Sequence, residues 1–146
     1  MKLSEIMTQK VEIIPPECTL QEAATKMREL DVGALPVHDG GDRLAGMITD
    51  RDMVVQGLAQ GVDSKTQSVK SFMTTPIVYC YEDQTPEEAA RLMEVKQIRR
   101  LVVLNRKKRL VGIVSLGDLV RKTGDGSLAG EALEKISVPT HSGKVA

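Results

Sequence analysis

The chain carries an internal duplication. Residues 44–52 read LAGMITDRD and residues 110–118 read LVGIVSLGD, an offset of 66 positions. At the same offset, residues 7–54 and 73–120 share 14 identical positions without a gap. A duplication this regular predicts that the 146 residues fold as two small units of the same kind that share a core.

Each copy is predicted to have the element order β-α-β-β-α. The first helix of each copy begins at a capping box, Thr19-Leu20-Gln21-Glu22 and Thr85-Pro86-Glu87-Glu88, after which apolar residues recur at helical spacing. Two strands joined by a short turn follow, and a second helix begins near Asp50 and near Leu116. The predicted strands are 11–14, 34–37 and 44–48 in the first copy, and 77–81, 100–104 and 110–114 in the second.

The repeat also sets the expected domain boundaries. We expect a first domain at residues 1–62, a second at 69–123 and a C-terminal extension at 124–146. In the extension, residues 128–136 have the apolar face of a short helix, whereas residues 137–146 are expected to be disordered.

Composition excludes several classes of protein. The 20 basic and 20 acidic residues balance, which argues against a general nucleic-acid or membrane-surface role. No window approaches the run of about 18 apolar residues that spans a bilayer, and residues 1–10 lack the apolar core of a signal peptide. Cys18 and Cys80 are too few for a disulfide scaffold. We therefore expect a cytoplasmic protein.

The duplicated pattern, with Gly-x-x-Thr/Ser-x-x-Asp at the end of each hairpin, resembles the CBS domain, named for cystathionine β-synthase. The resemblance covers about residues 1–123. It implies an α/β (α+β) fold in which two tandem domains form a CBS pair, or Bateman module, about a pseudo-two-fold axis with two clefts between them. Because no catalytic domain is appended, the chain is similar to small stand-alone bacterial CBS-pair proteins, which commonly dimerise.

In that family the clefts often bind AMP, ADP, ATP, S-adenosylmethionine or a dinucleotide such as NAD. The residue types suit such a ligand, because an ionised aspartate accepts from a ribose cis-diol and a helix start can meet phosphate. Carried over from the family motif, one cleft would use Thr49, Arg51, Asp52, Thr74, Tyr79, Arg99 and Arg100. The other would use Thr8, Ile13, Gly33, Ala34, Ser115, Gly117 and Asp118.

A structural interpretation of the same motif stays open. Thr49-x-x-Asp52 and Ser115-x-x-Asp118 also have the pattern of a plain helix start, with a hydroxyl cap and an acid in the first turn. Capping and ligand binding are compatible with each other.

The two copies differ at the positions expected to face phosphate. Arg99-Arg100 in the second copy correspond to Gly33-Ala34 in the first. Arginine binds phosphate oxygens through strong, often bidentate bonds. We therefore predict that the Asp52 cleft is the better phosphate site and that the Asp118 cleft takes a less charged ligand or stays empty. The alternative for the arginines is a solvated strand start.

These observations favour a non-enzymatic regulatory protein that binds an adenine nucleotide, needs no other cofactor, and signals to a regulated partner through a homodimer. The alternative is a structural or interaction dimer whose clefts are empty. No nucleophile–base set or Walker motif is visible, and His38 and His141 lack partners at metal-ligand spacing. A redox pair between Cys18 and Cys80 stays open, because sequence does not give their separation.

Overall fold

A computed structural model describes residues 1–9, 11–41 and 43–139. The disorder expected for residues 140–146 therefore lies outside the described residues. The chain divides into two compact units: unit I is Val11–Ile77, and unit II combines Met1–Lys10 with Val78–Ala146. Unit I is continuous in sequence, whereas unit II is assembled from two separate segments.

Unit I is a helix and a hairpin followed by a second, irregular helix. Its two strands are antiparallel, and Ala34 lies opposite Thr49 at the end of the hairpin. The elements are α1 (Leu20–Leu30), β1 (Ala34–His38), β2 (Leu44–Thr49) and α2 (Asp50–Asp52), with α2 continuing as the π-helical segment Met53–Gly57 and the 3-10 turn Leu58–Gln60, and a further 3-10 turn at Val69–Ser71.

Unit II repeats this order with a longer sheet and one more helix. Its three strands have the order β3-β4-β5, with β3 parallel and β5 antiparallel to β4. The elements are a 3-10 turn at Leu3–Glu5, β3 (Tyr79–Tyr81), α3 (Pro86–Lys96), β4 (Arg100–Leu104), β5 (Leu110–Ser115), α4 (Leu116–Thr123) and α5 (Gly126–Ile136). The predicted α+β fold class is confirmed.

One predicted strand is reduced to a single bridge. In the expected strand 11–14, only Ile14 pairs, and it pairs with Val37 in the parallel sense. Pro15 and Pro16 follow directly. Since proline has no N–H to donate, the ladder cannot continue past Ile14.

The segment that precedes each copy packs on the hairpin of the other copy. Thr74 exchanges two backbone hydrogen bonds with Met47, at 3.1 and 2.8 Å, and Thr8 does the same with Ile113, at 2.8 and 3.0 Å. Val69 is buried in the core of unit I and Leu3 in the core of unit II. These pairings place residues 69–77 in the compact unit I and the first residues of the chain in unit II, while the domain boundaries expected from the repeat stay a prediction.

Helix α5 closes one face of unit II. Asp125 caps it by accepting from the backbone N–H of Leu128 at 3.1 Å, so the helix begins two residues before the predicted range. Ala129, Ala132 and Ile136 are buried together with residues of α3 and α4. Within the described part of the chain, no helix has the length and apolar character needed to cross a membrane.

The glycine of each repeated motif leaves room for the segment that packs on its hairpin. A Cβ on Gly46 would lie 2.6 Å from the carbonyl oxygen of Thr74, and a Cβ on Gly112 would lie 2.9 Å from that of Thr8. Real Cβ atoms do not approach a backbone oxygen this closely. The glycines thus allow the bridge that holds each segment on its hairpin.

We expect Gly46→Ala to lower the free energy of unfolding by about 1–3 kcal/mol, because the added methyl forces the Met47–Thr74 bridge apart. The matched control is Gly130→Ala on α5, where an added Cβ meets nothing within 4 Å. That substitution should raise stability by about 0.5–1 kcal/mol through helix propensity. Urea denaturation measures both, and equal effects would contradict the crowding argument.

Candidate functional site

Each repeated motif forms a helix start capped in both directions. The Thr49 hydroxyl accepts from the backbone N–H of Asp52 at 3.1 Å, and the Asp52 carboxylate accepts from the backbone N–H of Thr49 at 3.0 Å. Ser115 and Asp118 make the same pair of bonds, at 3.1 and 2.9 Å. The capping interpretation of the motif is therefore confirmed in both units, and each threonine or serine hydroxyl is engaged in its cap.

The two aspartates differ in whether both carboxylate oxygens have a partner. Asp118 is 3% exposed; its Oδ2 accepts from the Ser115 N–H, and its Oδ1 lies 3.1 Å from Arg121 and 3.7 Å from Lys122. Asp52 is half-buried and its Oδ2 is taken by the cap, but among the described residues no hydrogen bond or ion pair reaches its Oδ1. Asp52 thus has one carboxylate oxygen outside its cap, whereas Asp118 is satisfied inside its own unit.

The sequence contains the reason for this difference. The cations that pair with Asp118 stand three and four positions after it, where a helix brings side chains together. The residues at the same distances from Asp52 are Val55 and Gln56, which cannot form ion pairs. A comparison of the residues three and four positions after each aspartate would have predicted which carboxylate forms no ion pair within its own helix.

A polar pocket in unit I includes Asp52. It has a volume of about 350 Å³. Thr74, which was predicted from the motif, lies in the same pocket because its backbone pairs with Met47. The lining residues are Asp52, Gln56, Gln60, Ser71, Phe72, Met73 and Thr74.

Five of these residues were not predicted. Gln56 and Gln60 follow Asp52 at intervals of four, so the helical spacing was a usable signal for them. Ser71, Phe72 and Met73 belong to the segment 69–77, which packs on the hairpin of unit I. The repeat gives no sign that this segment packs on the preceding hairpin, so sequence reasoning did not include them.

In each unit, the start of the first hairpin strand contacts the start of the helix that follows the hairpin. The carbonyl oxygen of Arg99 accepts from the N–H of Leu116 at 2.9 Å, and Arg100 lies opposite Ser115. In unit I the Gly33 carbonyl accepts from Asp50 at 2.9 Å. Both arginine side chains are exposed. Within unit II, the backbone of Arg99 and Arg100 therefore borders the capped start of α4.

Tyr79 belongs to a small aromatic and charged cluster of unit II. Its ring meets that of Tyr81 edge-on, with centroids 5.6 Å apart. Arg106 lies over the Tyr81 ring, 4.1 Å from its centroid, and donates to both carboxylate oxygens of Asp83 at 3.0 and 2.9 Å. These hydrogen bonds from Arg106 hold the pKa of Asp83 below its usual range. The edge-on contact with Tyr81 connects Tyr79 to this cluster.

The predicted site residues thus divide between the units. Of the first set, Thr49, Arg51, Asp52 and Thr74 lie in unit I, and Tyr79, Arg99 and Arg100 in unit II. Of the second set, Ile13, Gly33 and Ala34 lie in unit I, and Thr8, Ser115, Gly117 and Asp118 in unit II. Arg51, Thr8, Ile13, Thr74 and Gly117 are exposed, and Ala34 is buried. The pairing of residues across the two copies stays a prediction.

Cys18, Cys80 and His38 do not line the pocket of Asp52. Cys18 and Cys80 are buried free thiols. Burial raises the pKa of both, that of Cys80 to about 11, with the Glu88 carboxylate adding to the shift there. The His38 Nδ1 accepts from Gly40 in the hairpin turn at 3.0 Å. Among residues 1–9, 11–41 and 43–139, no three His, Cys, Asp or Glu side chains form a group that could hold a metal ion. His141 lies outside these ranges.

Comparison with known proteins decides the family. The CBS domain family model matches residues 3–56 and 69–125, which is most of the chain. The chain belongs to the CBS-domain family. It is 42% identical over 135 residues to the CBS domain-containing protein YhcV of Bacillus subtilis (strain 168), an alignment that covers 92% of this chain and 94% of YhcV.

Solved CBS structures share the fold. A crystal structure of Hypoxic Response Protein I with two coordinated zinc ions has a TM-score of 0.74 at 39% identity and covers 84% of this chain and 98% of its own. The CBS domain pair of MJ0100, in complex with 5-methylthioadenosine and S-adenosylmethionine, has a TM-score of 0.74 at 25% identity, covering 85% and 96%. CBSX2 in complex with AMP has a TM-score of 0.69 at 29% identity, covering 84% and 95%.

The unequal roles of the two CBS aspartates predict unequal losses of stability. Asp118→Ala should lower the free energy of unfolding by about 2–3 kcal/mol, because it removes the capping bond to the Ser115 N–H and also a buried carboxylate that pairs with Arg121 and Lys122. Asp52→Ala should cost about 1 kcal/mol, the typical loss of a cap alone. Urea titration of the two variants gives the comparison, and a larger loss for Asp52→Ala would rule out the assignment.

Proposed function

We propose that this CBS-pair protein is a non-enzymatic sensor that binds an adenosine-type ligand at Asp52. AMP, ADP and ATP are the first candidates, and S-adenosylmethionine and NAD are the others. The observation that carries the proposal is the carboxylate of Asp52, which keeps one oxygen outside its cap at a polar pocket of about 350 Å³. An anionic acceptor in this position suits the two hydroxyl donors of a ribose.

Several features support this choice of ligand. The pocket offers the amides of Gln56 and Gln60 and the hydroxyls of Ser71 and Thr74, which can donate and accept, beside the flat ring of Phe72. Two structural relatives that are 25% and 29% identical to this chain hold adenosine compounds. The relative YhcV is likewise a CBS domain-containing protein of similar length. These observations favour regulation by a nucleotide over catalysis.

The second predicted site, around Asp118, is proposed as the weaker one. Its carboxylate is buried and already paired with Arg121 and Lys122, so a ribose would have to displace an ion pair. This reason is independent of Arg99 and Arg100, which the sequence prediction assigned to the Asp52 site. Those arginines remain candidates for phosphate binding, since both side chains are exposed.

Signalling would follow from a shift of populations. A ligand favours whichever arrangement of the module completes its contacts, and it shifts the equilibrium only by its differential affinity for the two arrangements. We propose that a homodimer in the cytoplasm transmits this shift to a regulated protein. The alternative is an interaction dimer that binds no nucleotide.

Ligand binding can be tested by thermal shift and titration calorimetry with AMP, ADP, ATP, S-adenosylmethionine and NAD. A compound at 100 times its Kd should stabilise the protein by about 2.7 kcal/mol. We expect Asp52→Asn to weaken binding about tenfold to a hundredfold, because it removes the charged acceptor and keeps the cap geometry. The matched control, Asp50→Asn, changes an exposed acid two positions away and should leave affinity unchanged. Unchanged melting curves with all five compounds would favour the interaction dimer.

The arginines can be tested separately. If Arg99 and Arg100 bind phosphate, replacing both with glutamine should weaken binding of AMP or ATP about tenfold or more and leave binding of adenosine nearly unchanged. Calorimetry with adenosine and with the phosphorylated ligands distinguishes these effects. Equal losses for adenosine and AMP would show that the arginines have no phosphate role.

A further inference from the structure

The polar pocket of unit I can be compared with unit II position by position, because the residues that line it recur at the offset of 66 positions. Three of these positions concern the carboxylate of the repeated motif. They are the aspartate itself, the residue four positions after it, and a residue of the segment that packs on the hairpin. The three are Asp52, Gln56 and Phe72 in unit I, and Asp118, Lys122 and Ile6 in unit II.

In unit II, a side chain of the protein itself connects these positions. Lys122 donates from its Nζ to the carbonyl oxygen of Ile6 at 2.9 Å, and the same Nζ lies 3.7 Å from Oδ1 of Asp118. One ammonium group therefore contacts both the helix that carries the aspartate and the segment that packs on the hairpin. In unit I, the equivalents of these two contacts, Asp52 and Phe72, both line the pocket of about 350 Å³.

The counterpart of Lys122 leaves the pocket of unit I open. Gln56 is exposed, and its side chain makes no hydrogen bond within the described part of the chain. Asp52 beside it is half-buried, whereas Asp118 is 3% exposed. The residue four positions after the aspartate is thus the point at which the two units differ, with glutamine at the open pocket and lysine at the closed one.

Arg121 does not have the same effect as Lys122. It also pairs with Asp118, at 3.1 Å, but 71% of its side chain is exposed and this ion pair stays within α4. Such an exposed pair contributes little and is readily exchanged for another partner. Displacement of Lys122 would cost the hydrogen bond to the Ile6 carbonyl in addition to the ion pair. Lys122 is therefore the residue that keeps a ligand from Asp118.

We propose that Lys122 is a built-in occupant of the second pocket and limits this CBS pair to one nucleotide. Its ammonium group gives Asp118 the kind of donor that a ribose hydroxyl would give. The inference rests on the proposed function at Asp52, since it names the residue that decides which of two equivalent carboxylates is available. Replacement of Lys122 by the glutamine of unit I opens the second pocket.

The number of AMP molecules bound per chain tests the proposal, measured by titration calorimetry on the full chain. We expect the wild type to bind one AMP and Lys122→Gln to bind two, because the variant carries the residue that unit I has at this position. Addition of Asp118→Asn to Lys122→Gln should weaken the second binding event about tenfold or more, which assigns that event to unit II.

Two control variants separate the position of Lys122 from its charge. Arg121→Gln removes one cation beside Asp118 and leaves Lys122 in place, so it should still bind one AMP. Lys122→Arg keeps a cation with several donors at the position and should also bind one. A second AMP bound by Arg121→Gln would contradict the proposal, because loss of charge alone would then open the pocket.

The converse change in unit I can be measured without a ligand. Gln56→Lys places an ammonium group near Asp52 and the carbonyl of Phe72, as in unit II. We expect it to raise the melting temperature of the unliganded protein by about 2–4 °C and to weaken AMP binding about tenfold or more. Gln56→Met has a side chain of similar length without charge and should give no such rise. Asp52→Asn combined with Gln56→Lys should remove most of the rise.

Three results would overturn the proposal: two AMP molecules bound by the wild type, only one bound by Lys122→Gln, or the same melting temperature for Gln56→Lys and Gln56→Met. A failure of AMP to bind any of these proteins would count against the proposed nucleotide site instead. The melting temperatures would in that case still decide whether a lysine at this position closes the pocket.

Discussion

The close approach of a backbone segment to a hairpin glycine is the constraint on which both units depend. Where Thr74 meets Gly46 and Thr8 meets Gly112, the carbonyl oxygen occupies the space that a Cβ would need. The bridge formed there fixes the end of the second strand, and the helix start follows three residues later. The helix start in turn places the aspartate. The glycine of the repeated motif is therefore a packing residue, and its link to the site is through backbone geometry.

One motif produces two electrostatic outcomes because of the residues that follow it. Asp118 is followed on α4 by two cations that lie within reach of its carboxylate, so its charge is neutralised inside the unit. Asp52 is followed by Val55 and Gln56, and its remaining oxygen stays at a polar pocket. Duplication has thus given two equal frameworks, of which one has kept an acceptor and the other has an internal ion pair.

Much of the fold could be predicted from the sequence, because its signals are local. The capping boxes at Thr19 and Thr85, the hairpins and the repeat itself each depend on residues close together in the chain. The packing of the segments around Leu3 and Val69 on the hairpin of the other copy could not be predicted in this way. Pairing between Thr8 and Ile113 spans more than a hundred positions, and neither segment contains a sequence signal that indicates its partner. The pocket residues Ser71, Phe72 and Met73 were missed for that reason, whereas Gln56 and Gln60 could have been found from helical spacing.

The pairing of the first residues of the chain with β5 also has a consequence for the order in which the chain can fold. Unit I is continuous, so all of its contacts are available once residue 77 has been synthesised. In unit II the bridge of Thr8 can form only after β5 exists, whereas Leu3 and Ser4 donate backbone hydrogen bonds to Gln84 and Glu82, which precede β5. Loop closure over so long a distance is slow, and the core around Leu3 and Ile6 is complete only when the last elements of unit II are in place. The continuous unit I can therefore complete its contacts before unit II does.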